Sequence, residues 1–264
     1  MAAAPTFAAV LAALEQLAPP ALAADWDNTG LLIEPAANRR TVRRLMLTID
    51  LTAEVAAEAA AWHADLVVAY HPPIFSGLKR LVASDGKQRA VLAAARAGFA
   101  VYSPHTALDA VEGGIADWLA FGATDCTTPS LRACGEGDYG RIAVFEKPIS
   151  LAALVRRLKQ HLGVRHLQVA RPTKTRTRLR DIAVAAGAGG SVLRGVRADV
   201  WLTGEMSHHD ALAATAAGTT VLLAGHSNTE RGYLRVLREL LGGELGRGCE
   251  MRLARVDRDP FRVV

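Results

Sequence analysis

Cysteine, aromatic residues and long apolar runs are all scarce in this chain of 264 residues. Its three cysteines, Cys126, Cys134 and Cys249, form no Cys-x-x-Cys pair, and their odd number argues against a disulfide framework, so a reducing cytoplasm is the expected setting. With only 5% aromatic residues the interior cannot be built from bulky ring clusters and must rely on close packing of small residues. Charged residues interrupt every apolar stretch before it reaches the roughly 18–20 residues of a membrane-spanning helix. The N-terminal segment lacks the basic region of a targeting peptide. It carries Glu15 among Phe7, Val10, Leu11, Leu14 and Leu17 at helical spacing, which predicts an ordinary first helix. The charge excess is also small: 31 basic against 26 acidic residues leave +5, too little to mark a nucleic-acid binder by charge alone.

What is present is an apolar half and 22% charged residues, the composition of an ordered chain. Short β-like runs alternate with alanine-rich helical runs, the pattern of βαβ units, and predict an α/β fold with largely parallel sheets. Residues 42–49, 66–69 and 99–102 read as strands, and 52–64 and 88–97 as helices, the second stopped by Gly98. Further along, 141–145, 182–185, 200–202 and 221–223 read as strands, and Ser150 caps a helix that ends before Gly163. Residues 126–140, with Pro129, Gly135, Gly137 and Gly140, form the most loop-like stretch. That suggests a first lobe of 1–125 with 225–264 and a second of 126–224. Two stretches are alike: Ala64-Asp65 through His71 answers Ala198-Asp199 through Glu205. The strands that follow lead to His105-Thr106-x-x-Asp109 and His226-Ser227-x-x-Glu230. Two pseudo-equivalent lobes sharing one site explain the match.

Six of the eight histidines lie in or near polar clusters: His71, His105, His208, His209, His226 and, less clearly, His63. In parallel sheets such groups gather beyond the carboxyl ends of the strands, where loops carry polar side chains. His71, the His105/Asp109 pair, Glu205 and the His226/Glu230 pair all occupy that edge. Imidazole with carboxylate is the ligand mix of zinc, manganese, iron or nickel, and a carboxylate such as Asp109 or Glu230 can bridge two ions. Taken singly, each histidine is better explained as satisfying loop backbone; taken together, they point to a catalytic metal site.

The segments Asp27-Asn28-Thr29-Gly30-Leu31-Leu32, Tyr70-His71-Pro72-Pro73-Ile74-Phe75, Tyr102 to Asp109, Thr203 to Asp210 and His226 to Gly232 together resemble the NIF-three-like family, also described as dinuclear-metal-centre hexameric proteins. The likeness runs over nearly the whole chain, in the short form without the domain that longer relatives insert. It implies a two-lobed protomer, a toroidal hexamer with metal centres facing an inner cavity, and His71, Asp109, His226 and Glu230 as ligands for one or two divalent ions. One departure stands out. Many bacterial members have two adjacent histidines where this chain has Tyr70-His71, and a phenol, with its pKa near 10, is the poorer ligand.

Asp27, Asn28 and Asp50 either orient ligands or cap turns. Gly187 to Ser191 could cradle a phosphate at a helix N-terminus, but a plain tight turn is the simpler account. The basic run Arg171 to Arg180 has no interleaved aromatics and reads as a solvated loop, so nucleic acid is not favoured as a partner. Two functions compete. One is a metal-dependent hydrolase in which His105, Glu205 or His208 moves protons, with a nucleotide such as GTP or another phosphate-bearing small molecule as substrate. Relatives are commonly described as GTP cyclohydrolase-like. The other is a non-enzymatic ring-shaped scaffold that binds transcription-related proteins or nucleic acid.

Overall fold

The computed structural model describes residues 3–34, 40–124, 126, 130–174 and 176–264. Two compact units divide the chain: Met1–Val111 with Tyr233–Arg258, and Glu112–Gly232 with Asp259–Val264.

The first unit opens with α1 (Phe7–Leu17), capped by Thr6, whose hydroxyl accepts from Ala9 N at 3.1 Å. It continues through β1 (Gly30–Ile33), β2 (Arg44–Thr48), α2 (Ala53–Ala61), β3 (Leu66–Ala69), α3 (Gly86–Ala97), β4 (Ala100–Ser103) and α4 (His105–Ala110). The second unit holds α5 (Ile115–Thr124), β5 (Leu131–Cys134), β6 (Gly140–Ile149), α6 (Leu151–Leu162), β7 (Gln168–Ala170), β8 (Leu179–Ala185), α7 (Gly190–Leu193), β9 (Val200–Thr203), α8 (His208–Ala216) and β10 (Thr220–Leu223). The chain then returns to the first unit with α9 (Tyr233–Leu245) and β11 (Glu250–Leu253).

The first sheet has the order β1-β4-β3-β2-β11, all pairs parallel except β1 with β4. The second has the order β5-β6-β8-β9-β10-β7. Its centre β8-β9-β10 is parallel, and its flanking pairs are antiparallel. This is the expected α/β class. The paucity of rings shows in the first core, where Ala56, Ala59, Ala90 and Ala94 of α2 and α3 lie fully buried with Met46, Val67 and Val101 of the sheet. Small side chains let helix and sheet backbones approach closely.

The duplicated sequence pattern is a duplicated βαβ unit. β3, α3 and β4 in the first unit correspond to β9, α8 and β10 in the second, with each strand pair parallel and adjacent. Among the loop-like residues 126–140, Leu131–Cys134 is instead a strand, paired antiparallel with β6; Pro129 lies outside the described residues. Helix α5 packs against β6, β8 and α6, so 112–124 associates with the second unit, as does 225–232. Residue 125, at the expected seam, lies outside the described residues. Among the described residues no helix is long and apolar enough to cross a membrane.

Candidate metal centre

In the first unit the parallel strands β2, β3 and β4 deliver their polar side chains to one edge. Backbone bonds continue the ladder past the strands, Tyr70 N to Thr48 O at 2.9 Å and His71 N to Ile49 O at 3.0 Å, so Asp50 and His71 stand side by side. Nδ1 of His71 donates to Asp50 Oδ1 at 2.9 Å. Tyr70, buried at 2% exposure, donates its phenolic proton to Asp109 Oδ1 at 2.7 Å, and Ser103 Oγ donates to the Tyr70 carbonyl. Nδ1 of His105 donates to Asp27 Oδ1 at 2.7 Å, while Asp27 Oδ2 accepts from the Thr106 amide and hydroxyl. Burial alone would raise the Asp27 carboxyl, but the bonds from His105 and Thr106 outweigh it and hold its pKa below the ordinary carboxylate value. His105 has φ +26°, a left-handed conformation costly for a residue with a Cβ, and the grip of Asp27 on its ring and on the next residue sustains it.

In the second unit the same edge of β8, β9 and β10 carries Gly187, Glu205 and His226. Glu205 N bonds to Gly187 O at 3.0 Å and Gly225 N to Gly204 O at 2.9 Å. Nδ1 of His226 donates to Glu205 Oε1 at 2.9 Å, and its Nε2 lies 3.4 Å from Oε1 of Glu230, a carboxylate only 1% exposed. Two donors on a tetrahedral ion at about 2.1 Å are about 3.4 Å apart, so this His/Glu group suits a divalent cation. Gly187 leaves the room: a Cβ there would come within 2.6 Å of Glu230 Oε1 and 2.9 Å of His226 Nε2.

One pattern therefore recurs. His71, His105 and His226 each give Nδ1 to a carboxylate, Asp50, Asp27 and Glu205 respectively, which sets the tautomer and leaves Nε2 as the donor atom. Asp27 and Asp50 thus orient imidazoles rather than cap turns alone. His208 begins α8, exposed, with its ring 5.5 Å from that of His209 and edge-on to it. His63 precedes β3, exposed in a left-handed turn, and stands away from the carboxyl edge.

Two amides of the Gly187 to Ser191 turn are engaged within the fold: Gly187 N donates to Thr229 Oγ1 and Gly189 N to Thr203 Oγ1. The following helix, α7, is a single short turn, so the segment is a structural strand-to-helix turn. Thr203, which ends β9, and Thr229 fasten it; the sequence placed both only within the family-like segments and gave no sign of this role. In the basic run, the exposed Arg176 pairs at 3.1 Å with Asp199, whose side chain is largely buried.

The family model described as Duf34/NIF3 (NGG1p interacting factor 3) matches residues 5–260. The chain is similar to the Protein NIF3 homolog of Schizosaccharomyces pombe, 41% identical over 266 residues, with 95% of each chain covered. It is likewise similar to the NGG1-interacting factor 3 of Saccharomyces cerevisiae, 38% identical, with 90% of each covered. Among solved structures, the Bacillus cereus protein related to NIF3 matches over 100% of both chains with TM-score 0.83 at 20% identity, a likeness of fold.

Proposed function

The chain belongs to the Duf34/NIF3 family, and we propose that it is a metal-dependent hydrolase whose centre draws on His71, Asp109, His226 and Glu230. The observation that carries this reading is the set of carboxylate-held imidazoles, above all His226 between Glu205 and the buried Glu230. With Nδ1–H given to Glu205, the Nε2 lone pair faces a carboxylate oxygen at 3.4 Å, an arrangement that a cation relieves. A divalent ion, when bound, supplies Lewis acidity and makes water more acidic. The chain's own groups do the rest. Glu205 and Asp50 hold the ligand rings, and His105, aligned by Asp27, offers Nε2 to take up or return a proton; Glu205 and His208 are further candidates for proton transfer. A nucleotide such as GTP, or another phosphate-bearing small molecule, is the proposed substrate, one or two ions the proposed cofactor, a hexamer the proposed assembly and the cytoplasm the proposed setting. The test is metal content per protomer of anaerobically purified protein, joined to turnover of GTP and other nucleotides after metal restoration. Turnover that disappears in His226→Ala supports the enzyme.

A second proposed reading is a non-enzymatic ring-shaped scaffold whose partners are transcription-related proteins or nucleic acid; the name of the Saccharomyces cerevisiae relative, NGG1-interacting factor 3, supports no more than a binding partner. Partner binding that survives chelation, with no turnover, would decide for it.

A further inference from the structure

The chain has four tryptophans. Three have evident packing roles: Trp62 lies 4.7 Å beneath the Arg252 guanidinium, Trp118 stacks on His161 at 4.3 Å, and Trp201 is buried with its indole N–H bonded to Val196 O. Trp26 is different. It is 62% exposed and lies 6.0 Å from Phe75, itself 53% exposed. Keeping two large rings together in water costs solvation and confers little packing stability. The pair is nevertheless built. Asn28 Nδ2 donates to the Ile74 carbonyl at 2.5 Å, tying the loop of Trp26 to the loop of Phe75, and both rings meet His105 edge-on, at 6.3 and 6.4 Å. His105 is in turn anchored by Asp27 and packs edge-on to Tyr70 and His71 at 5.5 Å.

We propose that Trp26, Phe75 and His105 form a stacking subsite for a flat fused heteroaromatic ring, with Trp26 and Phe75 offering ring faces and His105 Nε2 accepting from a ring N–H or an exocyclic amino group. A cationic ligand fits less well, because the carboxylate of Asp27 is engaged by His105 and Thr106 and the loop of Phe75 continues into the exposed cations Lys79 and Arg80. Those cations favour a ring that carries phosphate. The inference deepens the hydrolase reading by giving its substrate a shape. It rests on that reading only for turnover, so binding is measured on metal-free protein.

The experiment titrates the metal-free full-length chain with AMP or GMP, and with ribose 5-phosphate as the ring-free control, while following tryptophan emission. Either nucleotide should quench emission, ribose 5-phosphate should not, and the quench should vanish in Trp26→Leu. Phe75→Leu, which keeps an apolar side chain but removes the ring, should weaken nucleotide binding about five- to hundredfold, the range spanned by loss of one base–aromatic stack. A quench that survives in Trp26→Leu, no quench by either nucleotide, or affinity unchanged in Phe75→Leu would overturn the subsite. So would a fall in particle mass in either variant by light scattering, which would assign the ring pair to a contact between copies. None of these results depends on bound metal, so each leaves the metal centre to its own test.

Discussion

Tyr70 donates its phenolic proton to Asp109 at 2.7 Å, so the residue before His71 holds a carboxylate rather than standing free as a ligand. Tyr70→Phe removes the donor from a charged acceptor and is expected to cost roughly 1.5–3 kcal/mol by urea unfolding. Tyr70→His should instead add an imidazole and raise metal content after mild chelation, read by elemental analysis. Two tightly held ions in both wild type and Tyr70→His would show that the phenol is no handicap.

In the proposed centre the carboxylates behind the imidazoles tune ligand strength. Removing such a partner lowers metal affinity about 10- to 100-fold in comparable sites. Glu205→Ala and Asp50→Ala should each weaken zinc or manganese binding on that scale in competition with a chromogenic chelator. His208→Ala, at the exposed start of α8, should leave the affinity within about twofold of wild type. If all three variants bind alike, the carboxylate pairs do not tune the centre.

Gly187 is a steric gate. At φ +54°, with its prospective Cβ 2.6 Å from Glu230 Oε1, Gly187→Ala must either displace Glu230 or strain the turn. A loss of about 1–2 kcal/mol in stability with a near-complete loss of bound metal is expected. Retention of full metal content by the folded variant would mean that Glu230 is not a ligand.

His161 lies against Trp118, and its Nε2 finds no hydrogen-bond partner among the described residues. Burial lowers its pKa below 6.5, although a backbone bond at Trp118 opposes the shift. Between the folded value and about 6.5 the unfolded chain binds the extra proton, so stability falls as pH drops through that window and levels off below it. The slope from this one group cannot exceed about 1.4 kcal/mol per pH unit, and His161→Phe should flatten it. Identical pH profiles of unfolding would exclude the effect.

The proposed hexamer is tested by mass. Light scattering at micromolar concentration should report about six times the protomer mass of 28.0 kDa. A particle near the protomer mass would rule the hexamer out.

Much of this was legible from residues alone, for identifiable reasons. Leu66–Ala69 is a buried parallel strand and therefore an unbroken apolar run. Helix α6 is bracketed by Ser150, whose hydroxyl accepts from Ala153 N, and by Gly163 in the left-handed cap. By contrast, β5 and β7 are short strands that mix polar residues such as Arg132 and Gln168 with apolar ones, and no period survives over three or four positions. His71, His105 and His226 were visible because each follows a strand. For Asp27 the sequence left ligand orientation and turn capping equally open, because its contact with His105 spans 78 positions. The pairing of Trp26 with Phe75 was invisible for the same reason.

Ile49 N donates to Asp257 Oδ2 at 2.8 Å across 208 positions, and β11 completes the first sheet beside β2. During synthesis, β2, β3 and β4 leave the ribosome with one neighbour missing and wait for the long Glu112–Gly232 segment of the second unit before the fifth strand arrives. The late-closing edge of β2 is thus an apolar strand border exposed for most of translation, and a nascent chain stalled before Glu250 would present it as a template for aggregation.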